Sequence, residues 1–217
     1  MIKCAIFDLD GTLLDTITTI TYYVNRALSQ NDIPEITEDE CKYFIGNGAR
    51  LLIKRSLEKS GNYTEEGFAK VYGEYSEMYN ANTLYLTEPY EGIAELISAL
   101  RERGIRLAVL SNKPDDTTKA IIPCFFGDAF DLVLGGRDGI PLKPAPDAFF
   151  EICEELSVSR DEVIYLGDTG VDMLTGKGAG AALTVGVSWG FRTKEELTES
   201  GADVIVDSPL EVLSLLN

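Results

Sequence analysis

Two carboxylates, Asp8 and Asp10, stand two positions apart at the end of a short apolar run, Ile2 to Phe7. Residues i and i+2 of a strand share a face, so both acids are aimed at one spot. Gly11-Thr12 follows, a pair that lets the chain turn sharply with its amides exposed. Paired acids beside exposed amides suit a divalent cation and a phosphate. Three more polar segments border apolar runs. Ser111-Asn112-Lys113 follows Ile105 to Leu110, and Gly167-Asp168-Thr169-Gly170-Val171-Asp172 follows Val163 to Leu166. Lys143, in Leu142-Lys143-Pro144-Ala145-Pro146, precedes a helical pattern. In an open parallel sheet the C-terminal strand ends share one edge, and ligands bind there.

Elementary electrostatics divides the work. A carboxylate attacking a phosphate meets like charge, at about 4 kcal/mol per pair of unit charges ~4 Å apart in an effective dielectric near ~20. A divalent cation held by Asp8 and Asp168 would offset that repulsion and polarise the phosphoryl oxygens. Hard oxygen ligands of this kind favour Mg²⁺. Ser111 and turn amides can hydrogen-bond the non-bridging oxygens, and Lys143 supplies a fixed positive charge. Asp10 faces the same way as Asp8, so it could protonate a leaving oxygen and then deprotonate a water. Lys113 reads equally well as a site residue and as an exposed charge.

The elements that must carry these groups follow from periodicity. Ile17, Ile20, Val24, Ala27 and Leu28 recur at helix spacing. Helical segments continue from Glu38 to about Ala81, and strand patterns are missing. The Tyr-rich run Tyr72 to Tyr79 reads as helix packing. From Tyr90 onward strands alternate with helices. A helix ends at Gly104, a strand spans Ile105 to Leu110, and a helix begins at Pro114. A strand spans Asp131 to Leu134, a helix Ala145 to Leu156, and strands Val163 to Leu166, Leu183 to Val187 and Val204 to Val206. A final helix covers Pro209 to Leu216. Such alternation predicts an α/β fold, a mostly parallel sheet covered on both faces. Residues 1–15 and 88–217 would form its core, and 16–87 an all-helical insertion.

Composition removes several functions. The chain has no histidine, which excludes Ser-His-Asp and Cys-His catalysis and histidine metal sites. Basic residues number 19 against 36 acidic ones, a net charge of −17, so nucleic acid is not an expected partner. The four cysteines lie far apart and form no C-x-x-C pair. No apolar run nears the ~20 residues that span a membrane. A soluble cytoplasmic protein is expected.

In this order the four motifs resemble the haloacid dehalogenase superfamily over essentially the whole chain. The resemblance implies a Rossmann-like core with a helical cap inserted after the first motif. It implies Asp8 as a nucleophile that forms an aspartyl-phosphate, and Asp10 as general acid/base. Asp8, the backbone carbonyl of Asp10, and Asp168 would hold Mg²⁺, with Asp172 as a further metal-site carboxylate, directly or through water. Ser111, Asn112 and Lys143 would bind the phosphate. The aspartate at position 10 argues for phosphate chemistry, since the superfamily's dehalogenases lack it and its phosphonoacetaldehyde hydrolases usually carry a small residue there. Gly46-Asn47-Gly48-Ala49, Ser111 to Pro114, Gly186 to Arg192 and the tail Gly201 to Ile205 are similar to the phosphoglycolate phosphatase subgroup.

Gly46 to Arg50 reads as a turn into a helix, whose N-terminus can meet an anion. Gly46, Asn47, Gly48 and Arg50 are therefore candidates for contacting the non-phosphate end of the substrate. The expected function is hydrolysis of a small-metabolite phosphomonoester, 2-phosphoglycolate first. Phosphatases of sugar phosphates, nucleotides or pyrophosphate, a β-phosphoglucomutase-like mutase, and a non-catalytic binding protein are the alternatives. A mutase of that type often gates its second aspartate with a cap histidine, which is missing from this chain. Members of this type occur as monomers and as homodimers.

Overall fold

The computed structural model describes residues 1–216. The chain divides into two compact units, one of Met1–Asp15 with the segment from Pro89 onward, the other of Thr16–Glu88. The first opens with strand β1 (Cys4–Phe7) and the two-residue strand β2 (Leu14–Asp15). The helical unit then contributes α1 (Ile17–Ser29), α2 (Glu38–Phe44), α3 (Ala49–Lys59) and α4 (Glu65–Ala81). After β3 (Glu88–Pro89) the core continues with α5 (Ile93–Glu102), β4 (Arg106–Pro114), α6 (Asp115–Phe126), β5 (Leu132–Gly136) and α7 (Asp147–Glu155). It closes with β6 (Val163–Gly167), α8 (Gly170–Ala179), β7 (Leu183–Val187), α9 (Lys194–Glu199), β8 (Val204–Val206) and a 3₁₀ helix, Pro209–Leu216.

Six strands form one parallel sheet in the order β5-β4-β1-β6-β7-β8. β1 lies at its centre, and its side chains alternate between two apolar layers. Ala5 and Phe7 enter one core with Leu96, Leu100, Ile121 and Val212; Cys4 and Ile6 enter the other with Phe149, Ile152 and Tyr165. The chain runs outward from β1 through β4 to β5, then returns to β6 on the other side. The strand order therefore reverses between β1 and β6, and a crevice opens beyond the carboxyl ends of those two strands. Phe7 pairs with Val109 and Leu166, so the residues that follow all three strands reach one level.

In the helical unit α1 packs on α2 and α4, and α3 packs on α4. Tyr75 and Tyr79 of α4 are buried, and Tyr79 meets Tyr23 of α1 edge-on. Among the described residues no helix is long and apolar enough to cross a membrane.

The α/β architecture is the one expected, with differences at element boundaries. β4 runs on through Ser111-Asn112-Lys113 to Pro114, so α6 begins at Asp115 and Pro114 is its cap. Against β5 the pairing steps from Leu110–Leu134 to Pro114–Gly136, which leaves two extra residues on β4. A bulge of this kind bends a strand and re-aims its side chains. The terminal Pro209–Leu216 segment is 3₁₀ and not α. Helix α9, capped by Thr193, has no signal in the sequence, because five polar residues and one buried Leu197 carry no legible apolar period.

Candidate active site

The polar segments gather at one edge of the sheet: Asp8 and Asp168 directly follow β1 and β6, Ser111 to Lys113 form the end of β4, and Lys143 lies in the loop between β5 and α7. Asp8 follows β1 and donates its backbone N–H to Leu166 O at 2.9 Å, which ties it to the end of β6. Asp168 follows β6 and is fully buried. Asp172 lies in the first turn of α8, also fully buried, and accepts from the Thr169 backbone N–H (3.1 Å) and hydroxyl (2.6 Å). Oxygens of Asp8, Asp168 and Asp172 all come within 4.8 Å of one another.

Lys143 is buried among them. Its ammonium donates to Leu110 O (2.9 Å) and to Asp172 Oδ1 (2.7 Å), and stands 2.8 Å from Asp8 Oδ1. The Asp8 approach is an ion pair off the hydrogen-bond direction, so Asp8 Oδ1 is buried without accepting a hydrogen bond. The lysine is placed by Asn112, whose side-chain amide brackets its peptide. Lys143 N–H donates to Asn112 Oδ1 at 2.8 Å, and Asn112 Nδ2 donates to Lys143 O at 3.0 Å. The resemblance implies a phosphate contact for Asn112; these two bonds join its amide to the peptide of Lys143. Ser111 Oγ accepts from the Lys113 N–H at 3.2 Å, and a hydroxyl that accepts still has its proton to donate.

The electrostatics follow from burial. Burial, then Asp172, pushes the Asp8 carboxyl up to about 7 against the pull of Lys143. Burial and the like charges of Asp172 and Asp8 also raise Asp168 well above the carboxylate range. Burial alone would depress the Lys143 ammonium, but Asp172 and Asp8 outweigh it and hold the group well above its ordinary value. Three acids thus surround one lysine, a cluster short of positive charge.

That shortfall tests whether a divalent cation fits. Asp8 Oδ1 has no hydrogen bond to give up. Asp168 Oδ1 accepts from the Thr12 hydroxyl (3.2 Å) and Oδ2 from the Phe191 N–H (2.9 Å), and a carboxylate oxygen with one such donor keeps a lone pair for a cation. Asp172 differs. It accepts from Lys143, the Tyr165 hydroxyl (3.3 Å) and twice from Thr169, four donors for about four lone-pair sites. Asp8 and Asp168 could hold a divalent cation directly; Asp172 holds Lys143.

Asp10 joins the same edge through a lysine whose role the sequence left open. Lys113 Nζ lies 2.8 and 2.9 Å from the two Asp10 oxygens, with both side chains largely withdrawn from solvent. Several supporting groups were not singled out from the sequence: Tyr165, Thr169, Thr12, the Phe191 amide and Gly190. Gly190 packs on the back of Asp168. A Cβ there would lie 2.3 Å from Asp168 Cβ and 2.4 Å from Gly11 O. Gly190→Ala is expected to displace Asp168, to cost about 1–3 kcal/mol of stability by overpacking, and to lower kcat about 10²-fold by misplacement. Urea unfolding and steady-state kinetics at saturating Mg²⁺ check this.

Gly46, Asn47, Gly48 and Arg50 belong to the helical unit. Gly48 caps α3 with φ +86°, a conformation that favours glycine. The Arg50 guanidinium lies 5.0 and 5.1 Å from the ring centres of Phe68 and Tyr72, a packing role within that unit.

Acids, a lysine and a hydroxyl gathered beyond the switch point of a doubly wound sheet define an α/β protein with a polar ligand site at the carboxyl edge of its sheet. The family model for haloacid dehalogenase-like hydrolases matches residues 5–185, and the chain belongs to that family. A phosphoglycolate phosphatase of Haemophilus influenzae is 31% identical over 216 residues, 97% of this chain and 96% of its own. A crystal structure from Lactobacillus delbrueckii subsp. bulgaricus superposes with TM-score 0.93 at 32% identity, covering 99% of this chain and 98% of that one. A predicted phosphoglycolate phosphatase from Haemophilus somnus gives TM-score 0.93 at 27% identity, covering 100% and 98%.

Proposed function

We propose that this hydrolase is a Mg²⁺-dependent phosphatase of a small phosphomonoester, with 2-phosphoglycolate the first candidate, acting through an aspartyl-phosphate on Asp8. The observation that carries the reading is Asp8, a buried carboxylate whose Oδ1 lies among Asp168 and Asp172 with the Lys143 ammonium 2.8 Å away, off the hydrogen-bond direction. Burial beside other acids has an energetic cost, and a nucleophile placed next to a fixed positive charge is what attack on a phosphate needs.

In the first step a bond forms from an Asp8 oxygen to phosphorus as the phosphorus–leaving-oxygen bond breaks. Asp10 gives its proton to the leaving oxygen. In the second step a water oxygen bonds to phosphorus, the Asp8–phosphorus bond breaks, and the water proton goes to Asp10. The Lys143 ammonium and the Ser111 hydroxyl stabilise charge on the non-bridging oxygens. Asp172 and Asn112 keep Lys143 in place. Asp8, the Asp10 carbonyl and Asp168 would hold Mg²⁺, which when bound neutralises like charge and polarises the phosphoryl group.

Support for the substrate is the name carried by the Haemophilus influenzae relative, aligned along nearly the full length of both chains. A panel of phosphorylated acids, sugars, nucleotides and pyrophosphate, with and without Mg²⁺, tests it. The expected result is Mg²⁺-dependent phosphate release with the highest kcat/KM on 2-phosphoglycolate. A sugar phosphate far above it would overturn the substrate while leaving the chemistry. Interconversion of sugar phosphates with little phosphate release would point to a mutase.

A further inference from the structure

Asp8 and Asp10 are the same residue type two positions apart, yet each has its own lysine. Lys143 serves Asp8, and Lys113 grips both oxygens of Asp10. The Lys113 grip is built. Two extra residues in the β4 bulge bring the lysine to this edge. Its backbone N–H donates to Ser111 Oγ (3.2 Å), and its carbonyl accepts from the Thr118 hydroxyl (3.3 Å). Gly135 of β5 packs beneath, where a Cβ would lie 2.6 Å from the Lys113 carbonyl oxygen. A lysine fastened at N–H and carbonyl, with little exposed surface, delivers its ammonium to one place.

We infer that Lys113 is the positioning residue for Asp10, fixing the plane of that carboxylate by two charge-assisted hydrogen bonds so that proton transfer occurs in one geometry. The inference rests on Asp10 as the proton carrier. Without Lys113, Asp10 can rotate, and its oxygen is only intermittently aligned with the leaving oxygen or the attacking water. The Lys113 ammonium is engaged by both oxygens of Asp10, and Asp8 has Lys143 beside it, so bond formation at phosphorus is expected to depend on Lys143 and the proton transfers on Lys113.

The two steps can be read separately with an aryl phosphate in Mg²⁺-loaded full-length protein. 4-Nitrophenolate is stable as an anion and leaves without a proton, whereas the water step still needs a base. For Lys113→Met the first turnover, read as a stopped-flow burst of nitrophenolate, is expected near the wild-type rate. Steady turnover is expected to fall about 10²-fold with KM little changed. Lys113→Arg, whose guanidinium can give a carboxylate two parallel hydrogen bonds, is expected to restore part of the loss. Asp10→Asn should reproduce the burst followed by slow turnover. Equal slowing of burst and steady state in Lys113→Met would mean a structural role and overturn the inference. So would unchanged steady turnover, or a change confined to KM. If Asp10→Asn itself turns over normally, the proton-carrier reading fails. If Asp10→Asn behaves as expected and Lys113→Met does not, only the role of Lys113 fails.

Discussion

Asp8→Asn is expected to abolish turnover and, in metal-free protein at pH 8, to raise the thermal unfolding midpoint. The first effect is the loss of the nucleophile; the second follows from burial. Burial beside Asp172 holds the Asp8 carboxyl at about 7 in the folded protein, against an ordinary 3.8. Below about pH 4 the group is protonated in both folded and unfolded chains and contributes no pH dependence. Between that point and pH 7 the folded protein keeps a proton that the unfolded chain has lost, so stability falls as pH rises. Above 7 the cost is complete. Asp168, also raised, acts with the same sign. The surface acids that ion pairs and hydrogen bonds hold low, Asp203 and Asp207 among them, act only in stronger acid. Metal-free wild type is therefore expected to gain stability from pH 8 to pH 5, with a shift on the order of 5 °C. Asp8→Asn should flatten that slope, and a divalent cation should flatten it in wild type. Scanning calorimetry across this range, with and without Mg²⁺, checks the prediction; a midpoint that falls from pH 8 to pH 5 would contradict it.

Lys143→Met is expected to have the opposite effect on stability and an equally large one on turnover. The ammonium is shared by Asp8, Asp172 and the Leu110 carbonyl, and the substitution leaves all three buried without it. Breaking a buried pair from one side costs about 3–5 kcal/mol, because the remaining charge is uncompensated. Turnover should fall by at least about 10³-fold with loss of the fixed positive charge. The double variant Asp8→Asn/Lys143→Met should recover part of the stability, since removing one stranded carboxylate relieves the other. Urea unfolding of the three proteins without metal measures the coupling. Strict additivity of the two substitutions would show that the groups do not interact as described.

Much of this edge was legible from the sequence. Asp8, Ser111 and Asp168 follow apolar runs, and parallel strands must bring such ends together. Helix packing in the inserted unit was legible from the spacing of Ile17, Ile20, Val24 and Leu28, all buried. What could not be read was the division of labour. Lys113 and Lys143 look alike in sequence; strand order and the β4 bulge decide that one reaches Asp10 and the other Asp8. Asn112 sits beside Ser111, but only the Lys143 loop folding back on it commits its amide to a peptide. Gly190 stands 22 positions from Asp168, and only the packing of the two segments shows why a side chain is excluded there. The two-residue shift in β4 arises from its pairing with β5, a contact with no local signal.

The central claim is that Asp8 is phosphorylated during turnover. Rapid acid quench of Mg²⁺-loaded protein with 2-phosphoglycolate, followed by peptide mass spectrometry, tests it directly. One phosphoryl group is expected on the peptide containing Asp8, absent from Asp8→Asn and longer-lived in Asp10→Asn. Turnover with no covalent phosphate on that peptide, together with persistent activity in Asp8→Asn, would contradict it.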